Sequence, residues 1–500
     1  MQSLLLSLRR MKKLLLIIFV CLPFLADGKG WNTDWYSSVR LAGTSGQYMP
    51  FWARTGEDGL LPVNSSALAS IGADITYEFN NGFSFQAGTN IAGALAQQSP
   101  VQMSKAYGMI DRLYLSGNWK MLHLDLGMRP REHELSELSV SGGNVMYSRN
   151  ARNMPGINAW SDWIYFERGH WFGIKGNISH YQTIDDRYVK GTYIHNKSIA
   201  GKFALGCKVD LTIGFEHWAQ WGGQSPKYGS QPVSLYDYWR IFMAGKGGED
   251  ATVSDRVNVL GNHLGKECVR VDWRHSFFTM TFQYDKPFED GSGMKFKNAP
   301  DGIWSLQFVF NDRDAFVTDV IVEYINTTWQ SGPHHDRPAT EEEMKKQDPD
   351  SFYYGKVVLG GGDDYFSNGE YRSGWTYYNR IIGLPLILPL VPDADGVTMG
   401  VTSTRLRGGH VGLKGVIADK VPYAFKATYT RNFGKYNQSE TSFFASHPWQ
   451  LSLALEASAG KRIWKLPLRL TLGVYADIGK VYQNSAGLTL RLDYLGNCRF

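Results

Sequence analysis

Hydrophobic and polar residues alternate one by one along much of this chain. The longest alternating stretches cover residues 203–216, 466–479 and 488–500. Successive side chains of a β-strand point to opposite faces, so each stretch predicts one strand with an apolar face and a polar face. Shorter stretches with the same period lie at 73–79, 122–126, 280–284, 304–310, 423–429 and 451–455. The pattern therefore predicts an all-β chain.

Tight turns and long polar loops separate the predicted strands. Residues 80–82 (Asn-Asn-Gly) and 459–461 (Ala-Gly-Lys) are predicted hairpin turns, because glycine accepts a positive φ. Strands of about ten residues, joined alternately by tight turns and long loops, are typical of a transmembrane β-barrel. Strands of soluble sandwiches are shorter, typically about five or six residues.

The predicted barrel is closed and large. In lipid, an unpaired strand edge leaves backbone groups without hydrogen bonds, so the sheet has to close on itself. At roughly 25 residues per strand with its connection, the chain predicts an even number of strands in the upper teens. Residues 27–500 are therefore expected to form a single domain, a closed antiparallel transmembrane β-barrel with extended loops. The longest other apolar segment, 381–391, contains Pro385 and Pro389 and is predicted to be a loop or partly buried segment.

The beginning of the chain predicts export. Lys12 and Lys13 precede an apolar run, 14–25, and the small residue Ala26, an arrangement typical of a secretory signal peptide. We expect residues 1–26 to be this signal, with Met11 as an alternative start.

The last predicted strand indicates the bacterial outer membrane. From Leu488 onward every second residue is apolar or small, and the final residue, Phe500, completes the apolar face. We expect this strand to be the terminal signal by which outer-membrane barrels are recognised for insertion.

Composition removes several other classes of protein. Aromatic residues make up 14% of the chain and charged residues 20%, which excludes a disordered chain. The net charge of +5 falls to +1 without the four basic residues that precede Asp27, so we expect no nucleic-acid partner. Apart from Cys21, the cysteines Cys207, Cys268 and Cys498 are too scattered for a disulfide framework or a zinc site.

The sharpest break in composition is the charged segment 333–351. It is predicted to be a solvent-facing loop insertion with a short helix beginning near Thr340, whose hydroxyl can cap against Glu343. His334 and His335 have the residue type of metal ligands, but adjacent side chains in a strand or loop point apart, so we expect no metal site.

The sequence carries no local catalytic motif. Asp363, Asp364 and Glu370 have the residue types of a glycosidase carboxylate pair, but they fit a polar loop or a lumen network equally well. The glycines 360–362 are not followed by Lys-Ser or Lys-Thr, and no G-x-S-x-G motif is present. We therefore expect a protein that is not an enzyme and has no cofactor. A hydrolase with a serine and a histidine brought together at the barrel rim stays open as an alternative.

Clusters of aromatic and polar residues are the remaining candidates for a site. They lie at 217–223, 236–240 and 363–378. Sugar rings stack on aromatic side chains while their hydroxyls bond to planar polar groups. The competing interpretation is that these rings form the aromatic girdles found at both membrane interfaces of a barrel.

Several blocks in these and other regions resemble the Wzi-type capsule assembly proteins, in the form found in Bacteroides-like bacteria. The blocks run in order over nearly the whole chain: 50–52, 148–152 with Pro155, 218–226, 262–265, 363–385, 404–410 and 429–434. Asn153, where a proline is usual, and Gly409, where a second histidine is expected, depart from the pattern. The resemblance implies an outer-membrane barrel of about 18 strands, a lectin that holds capsular polysaccharide on the cell surface without a catalytic step.

The leading hypothesis is therefore a non-enzymatic outer-membrane barrel, expected to be monomeric, that binds capsular or other surface polysaccharide. The alternative is a porin-like channel for oligosaccharides, and a filled lumen would separate the two because it conducts little. The predicted stacking rings are Trp218, Trp221, Tyr238, Trp239, Tyr365, Tyr371 and Trp375. The predicted polar and acid-pairing groups are Arg240, Asp363, Asp364, Asn368, Arg372 and Arg380.

Overall fold

The computed structural model describes the chain from residue 28 to residue 499 with several gaps. The described ranges are 28–98, 105–166, 170–248, 251–252, 256, 259–289, 291–294, 296, 298–330, 338–350, 354–355, 364–436, 438–439, 441–463, 466–482 and 484–499. The predicted signal 1–26, His334, His335, the glycines 360–362 and Asp363 lie outside these residues.

Eighteen antiparallel strands of the described chain form one closed barrel, as predicted. They are β1 Gly28–Thr44, β2 Ser66–Phe79, β3 Phe83–Ala96, β4 Ala106–Trp119, β5 Leu122–Met128, β6 Gly156–Ser161 with its continuation Ile164–Tyr165, β7 Phe172–Gln182, β8 Tyr193–Leu205, β9 Val209–Trp221, β10 Asn262–Arg274, β11 Phe278–Phe288, β12 Gly302–Phe310, β13 Asp319–Asn326, β14 Arg405–Ile417, β15 Val421–Gly434, β16 Trp449–Ile463, β17 Leu466–Gly479 and β18 Ser485–Arg499.

The first strand closes the barrel. Each strand pairs with its sequence neighbours, and β1 pairs with both β2 and β18, with Val39 opposite Leu492. The few helices are short: α1 Phe51–Arg54, α2 Leu235–Met243, α3 Gly291–Met294, α4 Glu341–Met344 and a 3₁₀ turn at Phe443–Ser446. Among the described residues, no helix has the length and apolarity to cross a membrane.

The apolar residues of the strands face outward. On β17, Leu470, Leu472 and Val474 are exposed, whereas Thr471 and Tyr475, at alternate positions, are buried toward the lumen. A soluble barrel would place its apolar residues inside, so this inverted pattern marks a lipid-facing wall.

The two ends of the barrel differ. One end, here the turn end, has short connections such as residues 80–82 between β2 and β3 and residues 418–420 between β14 and β15. The other end, here the loop end, has connections as long as 327–404 between β13 and β14. Outer-membrane barrels have short periplasmic turns and long external loops, so the loop end faces outward from the cell.

Two predicted features of the strand pattern are wrong. The stretch 203–216 is two strands, because the chain reverses at Gly206, which has a φ of +77°, and Leu205 pairs with Val209. The alternation is unbroken there because the tight turn keeps the phase of the pattern. The predicted turn at 459–461 lies inside β16, which continues to Ile463. The turn at 80–82 is confirmed, with Gly82 at a φ of +79°.

Three of the long loops fold back into the lumen. They are residues 45–65, 129–155 and 364–404, and together they form what we term the plug. Their apolar side chains share one buried cluster, which includes Phe51, Trp52, Leu61, Val145, Met146, Met154, Phe366, Trp375, Ile382, Leu384 and Leu386. Gly383 allows loops 364–404 and 129–155 to approach closely, since a Cβ there would lie 2.4 Å from the Val145 carbonyl oxygen.

Two sequence predictions about loops are confirmed. Segment 381–391 is a largely buried part of the plug and contains no helix. In the charged insertion, α4 begins after Thr340, whose hydroxyl accepts the Glu343 N–H while the Glu343 side chain accepts the Thr340 N–H.

Candidate functional site

A cavity of about 800 Å³ opens between the loops at the loop end of the barrel. We term it the outer cavity. Aromatic rings and three guanidinium groups line it together with many aliphatic and proline side chains. The aromatic and charged residues of the outer cavity include Tyr48, Arg54, Tyr107, Arg152, Tyr378, Arg380, Phe443, Phe444, Asp477 and Tyr482. All three plug loops contribute to it, together with the connections that follow β15 and β17.

The plug holds the three arginines in different ways. The Arg380 guanidinium donates to the Arg54 carbonyl at 2.9 Å and to the Leu61 carbonyl at 2.6 Å. The Arg152 guanidinium lies over the Tyr378 ring, 4.2 Å from its centroid, and that of Arg54 lies 5.7 Å from the Tyr482 centroid. The buried Nε atoms of Arg54 and Arg152 have no hydrogen-bond partner among the described residues.

The cluster has an excess of positive charge. Within the described chain, none of the three arginines forms an ion pair, although the chain contains many arginine–carboxylate pairs elsewhere. The carboxylate that lines the cavity, Asp477, accepts the Phe51 N–H at 2.9 Å. Burial and the nearby charges of Arg54 and Arg152 lower the pKa of Arg380 to about 9. An anion would relieve this repulsion.

A thin wall separates the outer cavity from the turn-end half of the lumen. Thr55, Asn150 and Pro385 line both the outer cavity and an inner cavity of about 300 Å³. The Asn150 amide donates to the Ile381 carbonyl at 2.9 Å and so fixes this wall. Next to it, hydrogen bonds to Asp58 raise the pKa of Arg149, which faces the inner side.

The structure places four predicted site residues inside the barrel. The rings of Trp218, Tyr365, Tyr371 and Trp375 are buried. Trp218 stacks on Tyr147 with ring centroids 5.3 Å apart, and the Trp375 indole donates to the Met146 carbonyl at 2.7 Å. These four rings pack the plug and present no open face.

Four more predicted residues lie on the outside of the barrel wall. Trp221 is buried there, Tyr238 and Arg240 are half-buried, and Trp239 is exposed. All except Trp221 belong to α2, where Arg240 pairs with Asp237 at 3.1 Å.

The remaining predicted residues are spread over the plug. Asp364 accepts from the Thr404 hydroxyl at 2.6 Å and pairs with Lys435 at 2.5 Å. The Asn368 side chain accepts the N–H groups of residues 370 and 371 and stabilises a turn. Arg372 is exposed and lies over the Tyr188 ring. Of the predicted residues that the structure describes, only Arg380 lines the outer cavity.

Sequence reasoning missed Arg54 and Arg152 as candidate site residues, and it included Tyr378 only in the cluster 363–378 and not among the predicted stacking rings. A signal was present, because Arg152 ends the block 148–152 that carried the family resemblance. Within the described part of the chain, no three His, Cys, Asp or Glu side chains come together to hold a metal ion.

Comparison with solved structures shows a shared fold. Wzi of Escherichia coli, an outer membrane protein involved in group 1 capsule assembly and a carbohydrate-binding β-barrel, matches with a TM-score of 0.52 and 13% identity, over 91% of this chain and 83% of that chain. OpdK of Pseudomonas aeruginosa matches with a TM-score of 0.49 and 7% identity, over 95% and 100%. OccAB4 of Acinetobacter baumannii matches with a TM-score of 0.47 and 9% identity, over 94% and 99%.

The fold defines this chain as a closed 18-strand barrel of the bacterial outer membrane. Its architecture is shared with Wzi at a low level of sequence identity. No protein-family model matches the sequence, and no curated protein matches it.

Proposed function

We propose that this protein is a Wzi-like barrel that binds an acidic capsular or surface polysaccharide in its outer cavity and anchors it to the cell without a chemical step. The observation that carries the proposal is the cluster of Arg54, Arg152 and Arg380 at the outward end of the barrel. It combines three guanidinium groups that have no ion-pair partner among the described residues with rings that can stack on sugars.

The chemistry of the cavity favours uronic acids or other acidic sugars. A guanidinium pairs with a carboxylate through two parallel hydrogen bonds, and these are stronger than neutral ones. The rings and hydroxyls of Tyr378, Tyr107 and Tyr482 line the same cavity. A neutral glycan would leave the repulsion among the arginines uncompensated.

The plug favours an anchor over a transporter. Three loops fill the lumen with a continuous apolar cluster, and loop 129–155 reaches the opposite wall. A polymer held in the outer cavity would therefore be blocked by the plug from passing through the lumen.

Substitution of two arginines tests the proposed site. In R54Q/R152Q, we expect the affinity for an acidic oligosaccharide such as oligogalacturonate to fall by about tenfold or more, because each charge-assisted hydrogen bond contributes about 1.5–3 kcal/mol. The measurement is titration of the purified barrel by calorimetry, with reduced oligogalacturonate, in which the chain-end aldehyde is an alcohol, as the ligand.

The control variant is R313Q. The Arg313 guanidinium is exposed near the turn end, where it pairs with Asp319 at 2.8 Å. The R313Q variant should bind the oligosaccharide as the wild type does. All variants should keep the heat-dependent gel mobility of a folded barrel. Wild-type affinity in a folded R54Q/R152Q variant would remove the cavity from the proposal.

The cellular role has its own test. Deleting the gene should leave the total amount of surface polymer unchanged and move it from the cells into the medium. Polymer that stays on the cells would contradict the anchoring role, whatever the purified protein binds.

A channel for oligosaccharides is the second candidate. The observation that favours it is the thin wall of Thr55, Asn150 and Pro385 between the outer cavity and the inner cavity. Steady ion conductance of the wild-type protein in planar bilayers would place the channel first.

A further inference from the structure

The outward face of β9 is exposed or half-buried over the first half of the strand but is buried near its loop end. On β9, Glu216, Trp218 and Gln220 point into the lumen, where Glu216 accepts from Asn144 and Gln220 donates to the Gly374 carbonyl. The alternate residues Ile213, His217, Ala219 and Trp221 therefore face outward. Ile213 is 52% exposed in the lipid-facing band and Phe215 is half-buried, but the outward positions beyond them, His217, Ala219 and Trp221, are buried.

Helix α2 covers these outward positions. It lies in the connection between β9 and β10, and its residues pack on the outside of the barrel. Ile241 of the helix packs in one cluster with Ala219, Trp221 and Leu260. The Tyr238 ring contacts Trp221 with centroids 5.7 Å apart, and its hydroxyl lies 3.3 Å from the His195 ring nitrogen.

The opposite side of α2 is also apolar. Leu235, Trp239 and Met243 follow one another at helical spacing and are 90%, 57% and 58% exposed. The Trp239 ring stacks on the Phe242 ring with centroids 5.6 Å apart. We term Leu235, Trp239 and Met243 the outer stripe of α2. A helix on a water-exposed loop would carry polar residues on this side.

The outer stripe continues the lipid-facing band of the barrel. Strand β9 has 13 residues, and at about 3.3 Å per residue and a tilt of about 40° it rises roughly 30 Å along the barrel axis. The apolar band of such barrels is about 25 Å tall, so the last residues of β9 lie near its upper edge. Helix α2 packs on those residues and therefore lies at the height of the outward-facing membrane interface.

We propose that α2 lies in the outer leaflet of the membrane, with Leu235, Trp239 and Met243 among the lipid acyl chains. The helix is apolar on both long sides because one packs on the barrel and the other meets lipid. Tryptophan suits this depth, since its ring is apolar and its N–H can reach the headgroup region. The connection 222–261 is thereby fastened at membrane height, and Trp239 serves lipid contact instead of sugar binding.

Depth-dependent quenching tests this placement. We would attach an NBD fluorophore to W239C or L235C, with the native cysteines replaced by serine. The barrel is reconstituted in vesicles of phosphatidylethanolamine and phosphatidylglycerol that contain lipids with a nitroxide at acyl carbon 5. We expect a loss of fluorescence as large as that of the same label attached to I213C, since residue 213 lies in the lipid-facing band.

The matched water-exposed control is E342C on α4, where the side chain is exposed in the charged insertion. It should lose little fluorescence in the same vesicles. If W239C and L235C behave like E342C, the outer stripe is in water and the proposal is wrong. It is also wrong if both labels resist quenching while chemical cross-linking gives dimers, because a second copy then covers the stripe. All variants should show the heat-dependent gel mobility of the folded barrel.

Discussion

Neighbouring residues on one strand experience two different solvents. On β16, Leu455 is exposed to the outside, Ser458 bonds to Thr471 inside, and Ala457 points to the same side as Leu455. Ala457 and Ser458 lie near the middle of the strand, so Ala457 faces lipid acyl chains and Ser458 faces the inner cavity. This difference is what the alternating pattern of the sequence encodes.

The pair A457R and S458R measures that difference. A457R should destabilise the folded barrel by about 2–4 kcal/mol, because arginine near the bilayer midplane meets lipid. S458R places the same group in the inner cavity and should cost much less. The measurement is urea unfolding in lipid vesicles, and equal costs for the two variants would contradict the assignment of faces.

Asp301 is a second residue whose setting decides its chemistry. It lies just before β12 and accepts the N–H groups of Trp329 and Gln330, at 3.0 and 2.6 Å, and the Tyr365 hydroxyl at 3.1 Å. Burial nevertheless raises its pKa to about 7. Asp301 therefore ties the start of connection 327–404 to the barrel rim at a cost that depends on pH.

The sign of this dependence follows from the shift. A raised pKa means that the folded barrel holds the Asp301 proton more tightly than the unfolded chain, whose aspartates titrate near pH 3.9. The stability that the folded barrel gains from protonated Asp301 is therefore complete below about pH 4. It is lost as the pH rises toward about 7. The urea midpoint of D301N should therefore fall less between pH 5 and pH 8 than that of the wild type. An identical fall in both would show that Asp301 does not titrate in this range.

At the scale of elements, the strands were predictable and their ends were not. A strand that faces lipid on one side must alternate, so β17 and β18 are visible in the sequence. The turn at Gly206 is invisible, because its residues continue the alternation. Helix α2 was not predicted, since its nine residues are too few to display a helical period against the surrounding aromatic residues.

Loop 129–155 owes its path to partners that are distant in sequence. At its tip, the Ser139 hydroxyl and the Val140 N–H donate to Glu323 on β13 at 2.7 and 2.8 Å. The Ser305 hydroxyl donates to the same carboxylate at 2.9 Å. Nothing in the sequence around residue 139 indicates that residue 323 will be its neighbour.

Removal of this carboxylate should loosen the loop. E323A leaves buried donors without an acceptor, and each such group costs about 1–3 kcal/mol. The expected result is a clear fall in the temperature at which the folded gel mobility is lost. E137Q is the control, because Glu137 and Lys414 form an exposed pair at 3.0 Å, and such pairs contribute about 0–1 kcal/mol.

At the scale of the whole molecule, the plug decides whether the barrel is open. Eighteen strands enclose enough space for an aqueous channel, but here three loops occupy it. We expect the wild-type protein to conduct little in planar bilayers. N150G removes the amide that fixes the thin wall and should raise the conductance or add brief openings, whereas N158G, a change in the wall of another lumen cavity, should not.

The sequence by itself determined the solvent on each side of the wall. Alternation, strand length and the scarcity of apolar helices follow from the need to satisfy every backbone hydrogen bond in lipid. Short segments of the sequence therefore suffice to predict the barrel and its membrane environment. The tertiary structure alone decided where the loops go. The arginine cluster joins Arg54, Arg152 and Arg380 from three separate loops, and four of the seven rings expected to bind sugar are buried against the plug. Such meetings depend on packing between residues far apart in the chain, and no local pattern records them.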